Sequence, residues 1–290
     1  MTSSNPYSKK ADPKYGIIAR PYFSVLMPTY EKCSSTYLDR ALASIWDDQV
    51  CRPTEIILVI DGPIRNDSEI IIKGWKNKLG DSLQLVRLGA NVGIAKALNA
   101  GLKYCNYEII ARMDHDDISL PLRFASQLDF LTENVGVDVV GTFIQEIDEH
   151  EDIVKKVVKY PTSHSDCYKY FRKRDPLAHP TVMFRSSFFD AAGNYPTHIN
   201  LAEDTLLWYQ GFKTNCVFAN IDEIGLQYRR TPDFYARRAD HTKSIELLRY
   251  RLKTINRDLG YGILGDVYAL LYYLICMSPR FIKKILYSAR

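Results

Sequence analysis

Arg112-Met113-Asp114-His115-Asp116-Asp117 follows the apolar run Tyr107 to Met113 and precedes Leu120-Pro121-Leu122, where helix-forming residues resume. The apolar run reads as a buried strand, so the acidic residues lie in the loop at its carboxyl end. Three carboxylates in four residues repel one another. Such crowding raises a carboxyl pKa or requires a counter-ion, and a hard divalent cation bound through oxygen is one remedy. Two readings follow: a metal-diphosphate site at a strand end, or a solvated acidic turn with an Asp capping the next helix.

The elements upstream of this loop repeat one pattern. Phe23 to Met27 is a short apolar strand ended by Pro28-Thr29-Tyr30, and Tyr37 to Trp46 has helical spacing at Leu38, Ala41, Leu42 and Ile45. Glu55 to Ile60 is a second buried strand, broken at Asp61-Gly62-Pro63 and followed by a helix from Ser68 to Leu79. Leu83 to Leu88 makes a third strand and Asn91 to Tyr104 a third helix. Strands that are apolar throughout and alternate with helices predict a mostly parallel sheet covered on both faces. Ligands of such sheets bind beyond the strands' carboxyl ends. Pro28-Thr29-Tyr30, Asp61-Gly62-Pro63 and the acidic loop should therefore converge on one crevice.

Downstream, a helix over Leu122 to Leu131 is followed by a strand from Val137 to Phe143, an acidic turn from Glu146 to Glu151 and an alternating edge strand from Ile153 to Tyr160. Ser165 to Arg174 is helical, Thr181 to Phe184 is a strand, and Leu201 to Trp208 opens a helix with Glu203 and Asp204 in its first turn. Two short strands, Cys216 to Ala219 and Ile224 to Arg229, close the body.

At 290 residues, 46% hydrophobic and 25% charged, the chain can bury a large core. One α/β domain over 23–230 with an appendage over 231–290 fits that size. Residues 1–22 are polar, with no apolar stretch of signal-peptide type, and read as a flexible leader of a cytoplasmic protein. The six cysteines show neither CxxC nor Cys/His metal spacing, so reduced thiols are expected. From Arg229 onward there are 13 Lys/Arg against 5 Asp/Glu, although the whole chain carries only +4. A basic tail on an acidic body favours an anionic partner surface; no nucleic-acid recognition motif is present. Asp240 to Leu259 carries Ile245, Leu248, Leu252, Ile255 and Leu259 on one stripe, a basic amphipathic helix. Gly262 to Met277 is apolar except for Asp266 and short for a membrane span. The pair either lies in a membrane interface, peripheral to the inner face of the cell membrane, or packs on the body with a solvated basic face.

The GxGxxG dinucleotide loop and the GxxxxGK[ST] phosphate loop are both absent, as is the glycine-rich, arginine-containing loop of nucleotidyltransferases. The pieces Ser24 to Tyr30, Glu55 to Gly62, Asn91 to Asn99, Ala111 to Asp117 and Glu203-Asp204 occur in an order and spacing that resemble the inverting glycosyltransferases of family 2, which have the GT-A fold. The resemblance runs from Phe23 to about Arg229. It implies that Pro28, Thr29 and Tyr30 flank a nucleotide base, and that Asp61, an acceptor-only carboxylate, takes the N3 hydrogen of uracil. The usual Asp-Asp-Gly-Ser is here Ile60-Asp61-Gly62-Pro63. It further implies that Asp114-His115-Asp116 is the DxD motif, with Asp114 on ribose or metal and Asp116 coordinating Mn²⁺ or Mg²⁺. His115 is then the variable residue, pointing away. Arg112 either adds a cation at the diphosphate or forms a surface salt bridge. Glu203-Asp204 resembles the acceptor-side pair in which the second carboxylate, Asp204, is the general base. Two acids at a helix start also suit the helix dipole. His179 could line the acceptor pocket or be structural, and Trp208 is assigned to the core. Asn91 and Lys96 are read as a helix cap and a solvated lysine.

The QxxRW signature of processive synthases is missing after Asp204, so a single addition per event is expected. The resemblance thus implies a metal-dependent hexosyltransferase using a UDP-sugar donor and a lipid-linked saccharide acceptor, as in bacterial O-antigen or exopolysaccharide assembly. The alternative is a non-catalytic sugar-nucleotide-binding partner of an assembly complex.

Overall fold

The computed structural model describes residues 20–199, 202–231 and 241–279. Phe23–Tyr30 (β1), Glu55–Asp61 (β2), Leu83–Arg87 (β3) and Ile109–Arg112 (β4) are joined through helices Ser35–Trp46 (α1), Asn66–Leu79 (α2) and Ile94–Leu102 (α3). These four strands are mutually parallel. Ile118–Ser119 (β5), Arg123–Glu133 (α4), Val139–Ile147 (β6), Ile153–Val158 (β7), His164–Phe171 (α5), Met183–Arg185 (β8), Ser187–Ala192 (α6), Glu203–Lys213 (α7) and Phe218–Arg229 (β9) complete the sheet and its covering. The strand order is β3-β2-β1-β4-β8-β6-β9-β5, with β7 also paired to β6. Following the pairings outward, β1, β2, β3, β4, β6 and β9 run one way and β5, β7 and β8 oppose them. The architecture is the expected α/β sheet, mostly parallel and flanked by helices.

Alternation along β1 and β2 divides the core. Phe23, Val25, Met27, Ile56, Leu58 and Ile60 pack toward α1, α2 and α4, while Leu26, Ile57 and Val59 pack toward α3 and the α5–α7 side. Both faces are buried, which is why these strands read as continuous apolar runs. On the second face α3 comes close at Gly101: a Cβ there would lie 2.4 Å from Leu26 Cδ1 and 2.5 Å from Val59 Cγ2.

Several boundaries differ from expectation. Pro28-Thr29-Tyr30 continues β1, paired with Val59 to Asp61. Proline is tolerated because Pro28, like Leu26, faces β4, whose pairing with β1 ends at Leu26 opposite Arg112, so no ladder partner lacks a donor. The two short strands after Cys216 are one strand, β9. It absorbs the exposed acids Asp222 and Glu223 through register shifts against Thr142 and Phe143 of β6.

The described part of the tail is helical: His241–Tyr250 (α8), a π-helical turn Arg251–Ile255, the short Asn256–Asp258, and Gly262–Met277 (α9). Its inward stripe is not the expected one. Leu247, Ile255 and Leu259 are buried together with Ser244 and Arg251, while Ile245, Leu248 and Leu252 are half-buried. The π turn shifts the helical phase, and Arg251 gains a place inside by donating from Nη1 to the Phe171 carbonyl and stacking on that ring. Leu247, Ile255, Leu259 and Tyr261 belong to the same apolar cluster as Trp208 and Phe218. Most of the expected leader, and the start of the tail at 231–240 beyond Thr231, lie outside the described residues.

Candidate active site

All strands of the majority direction end at one edge, so Tyr30, Asp61, Arg112 and Arg229 arrive there together. Because β8 opposes them, the turn that precedes it, His179–Thr181, reaches the same edge from the other direction.

Ligand oxygens of Asp114, Asp116 and Asp117 lie within 4.8 Å of one another. None caps the next helix, whose N-cap is Leu122, so the capped-turn reading does not describe this loop. Asp117 is buried; its Oδ1 accepts from the Arg229 backbone N–H at 2.8 Å and its Oδ2 has no hydrogen bond. Burial, then Asp116 and Asp114, push its carboxyl well above the usual range. Clustered hard oxygens, one of them orphaned in the interior, form the donor set that Mn²⁺ or Mg²⁺ takes.

Three guanidiniums surround this loop. Arg112, only 2% exposed, pairs through Nη2 with Asp114 Oδ1 at 2.5 Å, and its Nε and Nη1 carry no hydrogen bond. It is an ion pair but not a surface one. Burial works against its charge, and Asp114 more than restores it. Arg123 at the start of α4 donates from Nη2 to the Arg112 carbonyl at 2.6 Å. Burial and Arg112 pull Arg123 down to about 9, still protonated at neutral pH. Arg229 donates from Nε to the Asp116 carbonyl at 2.8 Å and from Nη1 and Nη2 to Asp148 O and Glu151 Oε1, while its guanidinium lies 4.2 Å from the Tyr37 ring centroid.

At the ends of β1 and β2, Asp61 is buried and accepts the backbone N–H groups of Val92 (2.7 Å) and Gly93 (3.0 Å), one on each oxygen. Gly62 has φ +84°, and a Cβ there would lie 2.5 Å from Asn91 N, so the Asp61-Gly62 turn and the loop before α3 fit only with glycine. The N-cap of α3 is Gly93, not Asn91, which instead donates from its side chain to the Asp61 carbonyl; Lys96 is exposed as expected. His115 does not point away. Its ring sits edge-on to Tyr30 and its Nδ1 donates to the Pro28 carbonyl at 3.1 Å, which that strand leaves unused once β4 has ended. Thr29 is buried with Oγ1 unbonded.

On the opposite flank, Glu203 and Asp204 open α7. Asp204 Oδ1 accepts the Thr205 N–H at 2.7 Å. Glu203 is 8% exposed with Oε2 unpartnered, and burial followed by the Asp204 charge pushes its carboxyl up to about 7; Lys243 and Arg112 act the other way. His179 is buried, bonded through Nε2 to the Tyr195 hydroxyl at 3.0 Å, and kept neutral by burial and by Arg112. Tyr195 feels Arg112, Glu203 and Asp204. Arg112 thus acts on both groups, pairing with Asp114 of the acidic loop and lowering the carboxyl of Glu203. A hollow of about 790 Å³ lined by Tyr168, Phe212 and Lys213 lies at the other end of α7 and includes none of these residues.

The model of the family described as glycosyl transferase family 2 matches residues 24–190. The chain is a family 2 glycosyltransferase. It is 33% identical over 268 residues to the amylovoran biosynthesis glycosyltransferase AmsE of Erwinia amylovora, covering 92% of this chain and 98% of AmsE. It is 33% identical over 218 residues, 75% of this chain and 78% of the relative, to an Escherichia coli UDP-Gal:alpha-D-GlcNAc-diphosphoundecaprenol beta-1,3-galactosyltransferase. The mannosyltransferase PcManGT of Pyrobaculum calidifontis, solved with GDP-Man and Mn²⁺, superposes with a TM-score of 0.61 at 17% identity, covering 98% of this chain and 83% of that one. The fold of this glycosyltransferase is therefore GT-A.

In the glycosyltransferase the residues singled out from sequence divide between direct and supporting places. Asp114 and Asp116 lie in the acidic cluster, Glu203 and Asp204 at the facing helix start, and Trp208 in the core, fully buried. Sequence reasoning counted Asp117 in the acidic cluster without giving it a role of its own, and missed Tyr195, Arg123 and Arg229. Asp117 was visible as a third acid beside the motif. The two arginines had no signal, since Arg229 meets the loop from 112 residues away.

Proposed function

We propose that this glycosyltransferase moves a single hexosyl residue, with inversion, from a UDP-sugar to a lipid-linked saccharide in bacterial surface polysaccharide assembly, of O-antigen or exopolysaccharide type. The observation that carries the proposal is the presence of two acidic centres on which Arg112 acts: an oxygen cluster and the Glu203-Asp204 pair. Similarity to the galactosyltransferase, whose name gives a UDP-galactose donor and a diphosphoundecaprenol-linked acceptor, supports the donor and acceptor classes.

Asp114 and Asp116, with Asp117 beside them, would hold Mn²⁺ or Mg²⁺, which when bound draws negative charge from the departing nucleoside diphosphate, worth several kcal/mol. Arg112 offers its unbonded Nε and Nη1 to the same phosphates from a dry position, where a charge-assisted bond is strong. Asp61 accepts the uracil N3 hydrogen with lone pairs left over from Val92 and Gly93, and Pro28, Thr29 and Tyr30 form the wall beside the base. Asp204 takes the proton of the acceptor hydroxyl as it attacks the anomeric carbon opposite the leaving group, a role worth about 10²–10⁴-fold in rate. Glu203 and His179 line the acceptor side.

The test is nucleoside diphosphate release from a panel of UDP-sugars and GDP-mannose onto a GlcNAc-diphosphate lipid, with NMR of the product linkage. Turnover should require a UDP-sugar, stop in EDTA, return with Mn²⁺ or Mg²⁺, and invert the anomeric centre. Preference for GDP-mannose would remove the donor assignment, and metal-indifferent turnover would remove the role of Asp116.

A further inference from the structure

Helix α9 exposes its apolar side. Ile263 (83% exposed), Val267, Leu270, Leu271 and Leu274 (53%) recur at helical spacing on the outer face, joined by Leu264 and Tyr272. The inner face is made of small residues, Gly265, Ala269 and Cys276. A Cβ on Gly265 would lie 3.1 Å from Asn256 Cγ, so the helix packs close at that point; Tyr268, Tyr273, Ile275 and Met277 are half-buried beside it, and the stripe from Ile263 to Leu274 is left outside. The one acid, Asp266, is turned inward, accepting from Asn256 Nδ2 at 2.9 Å and pairing with Arg257. Exposed apolar surface of this extent marks an interaction site rather than ordinary surface.

We infer that this face seats the enzyme on an anionic phospholipid surface, with α9 lying in the plane of the interface. Charge selects that occupant over a second protein surface. Arg249, Lys253 and Arg257 are exposed on the segment α9 packs against, Arg172 stands beside Tyr268, and the sequence continues with Arg280, Lys283 and Lys284. An apolar stripe bordered by basic side chains is the pattern of a helix that inserts its apolar side and holds anionic headgroups. At 16 residues α9 is about 24 Å long, and among the described residues no helix is long and apolar enough to cross a membrane.

The seat is coupled to the site. His241 of α8 meets Tyr273 of α9 at 3.2 Å, and two residues on, Lys243 acts electrostatically on Glu203. The helix pair that meets the lipid is therefore the one that borders the acceptor side, so a lipid-linked saccharide would rise from the bilayer toward Asp204. This deepens the proposed function and rests on its acceptor class, but membrane binding is measurable without turnover.

The experiment is flotation of the full chain with phosphatidylglycerol/phosphatidylethanolamine vesicles and with phosphatidylcholine vesicles. Binding is expected to the anionic vesicles and to weaken with salt. Replacing Ile263, Val267 and Leu270 together by Gln should lower the bound fraction by about tenfold or more, with UDP binding and thermal melting unchanged. An independent variant, Leu270→Trp, should gain a fluorescence quenched by brominated lipid. Asp204→Asn should float like the wild type, separating failure of the lipid seat from failure of the transfer mechanism. Equal flotation of the triple variant, no quenching, no binding of the wild type to anionic vesicles, or a wild-type dimer that the triple variant dissolves would each overturn the inference.

Discussion

The acidic loop after β4 and the carboxylate pair at the start of α7 solve the same electrostatic problem differently. Asp114, Asp116 and Asp117 are crowded but stand among Arg112, Arg123 and Arg229, two of which also bond the loop's backbone. Glu203 and Asp204 have no such ring: Lys243 and Arg112 act on Glu203, yet burial and its neighbour still push the carboxyl up to about 7. A framework of fixed positive charge suits a place where negative charge must be received and released, such as a diphosphate with its metal. A buried Glu203 with little compensation, beside a half-buried Asp204, suits a place where a proton is exchanged. The difference teaches that the two centres are compensated differently, and on the proposed reading they handle opposite traffic: charge received at one, a proton taken at the other.

The sharpest way to break the comparison is Asp204→Asn. Transfer should fall about a thousandfold, within the range expected for a general base, while UDP affinity measured by calorimetry stays within about twofold of wild type; near-normal transfer would shift the base role to Glu203. Next is Arg229→Met, which leaves the Asp116 and Asp148 carbonyls without their donors. It should cost about 3 kcal/mol in urea unfolding and weaken UDP binding, whereas a stability-neutral result would show that the loop holds itself. Addition of Mn²⁺ at about a hundred times its dissociation constant should raise unfolding stability by about 2.7 kcal/mol; Asp116→Asn should abolish that gain and Asp204→Asn should keep it.

The smallest effect concerns Glu203→Gln. The folded carboxyl, raised to about 7, lies above the unfolded value of about 4.3, so its proton contributes stability that is fully present below about pH 4.3 and lost as pH rises through about 7. The Gln variant, which cannot ionise, should therefore melt higher than the wild type at pH 8 and nearly level with it at pH 4. An identical difference at both values would place the Glu203 charge in solvent.

Much of the fold was legible because a parallel sheet buried on both faces leaves few polar positions in its central strands: Ile56 to Ile60 could hardly be anything else. The acidic cluster and the Glu203-Asp204 pair were legible as charge where a core begins or a helix starts. Other features were hidden by local signals that tertiary contacts overrode. Pro28 looks like a strand end, but its missing donor falls where β4 has stopped. Asp222-Glu223 looks like a turn between strands, but β9 carries both acids outward on a bulge. The stripe read from Ile245 to Leu259 assumed regular α-helical phase, and the π turn at Arg251–Ile255 broke it.

The sequence by itself determined the alternation of apolar strands with helices, and with it the sheet edge where the acids had to collect, because burial of apolar surface is dictated by which residues are present and at what period. Only the tertiary structure decided that Arg123 and Arg229 ring the acidic loop, that Arg112 acts on both acidic groups, and that α9 leaves Ile263, Val267, Leu270 and Leu274 outside. Those outcomes depend on contacts between residues up to 113 positions apart and on how closely a backbone can approach at Gly265, neither of which leaves a periodic trace along the chain.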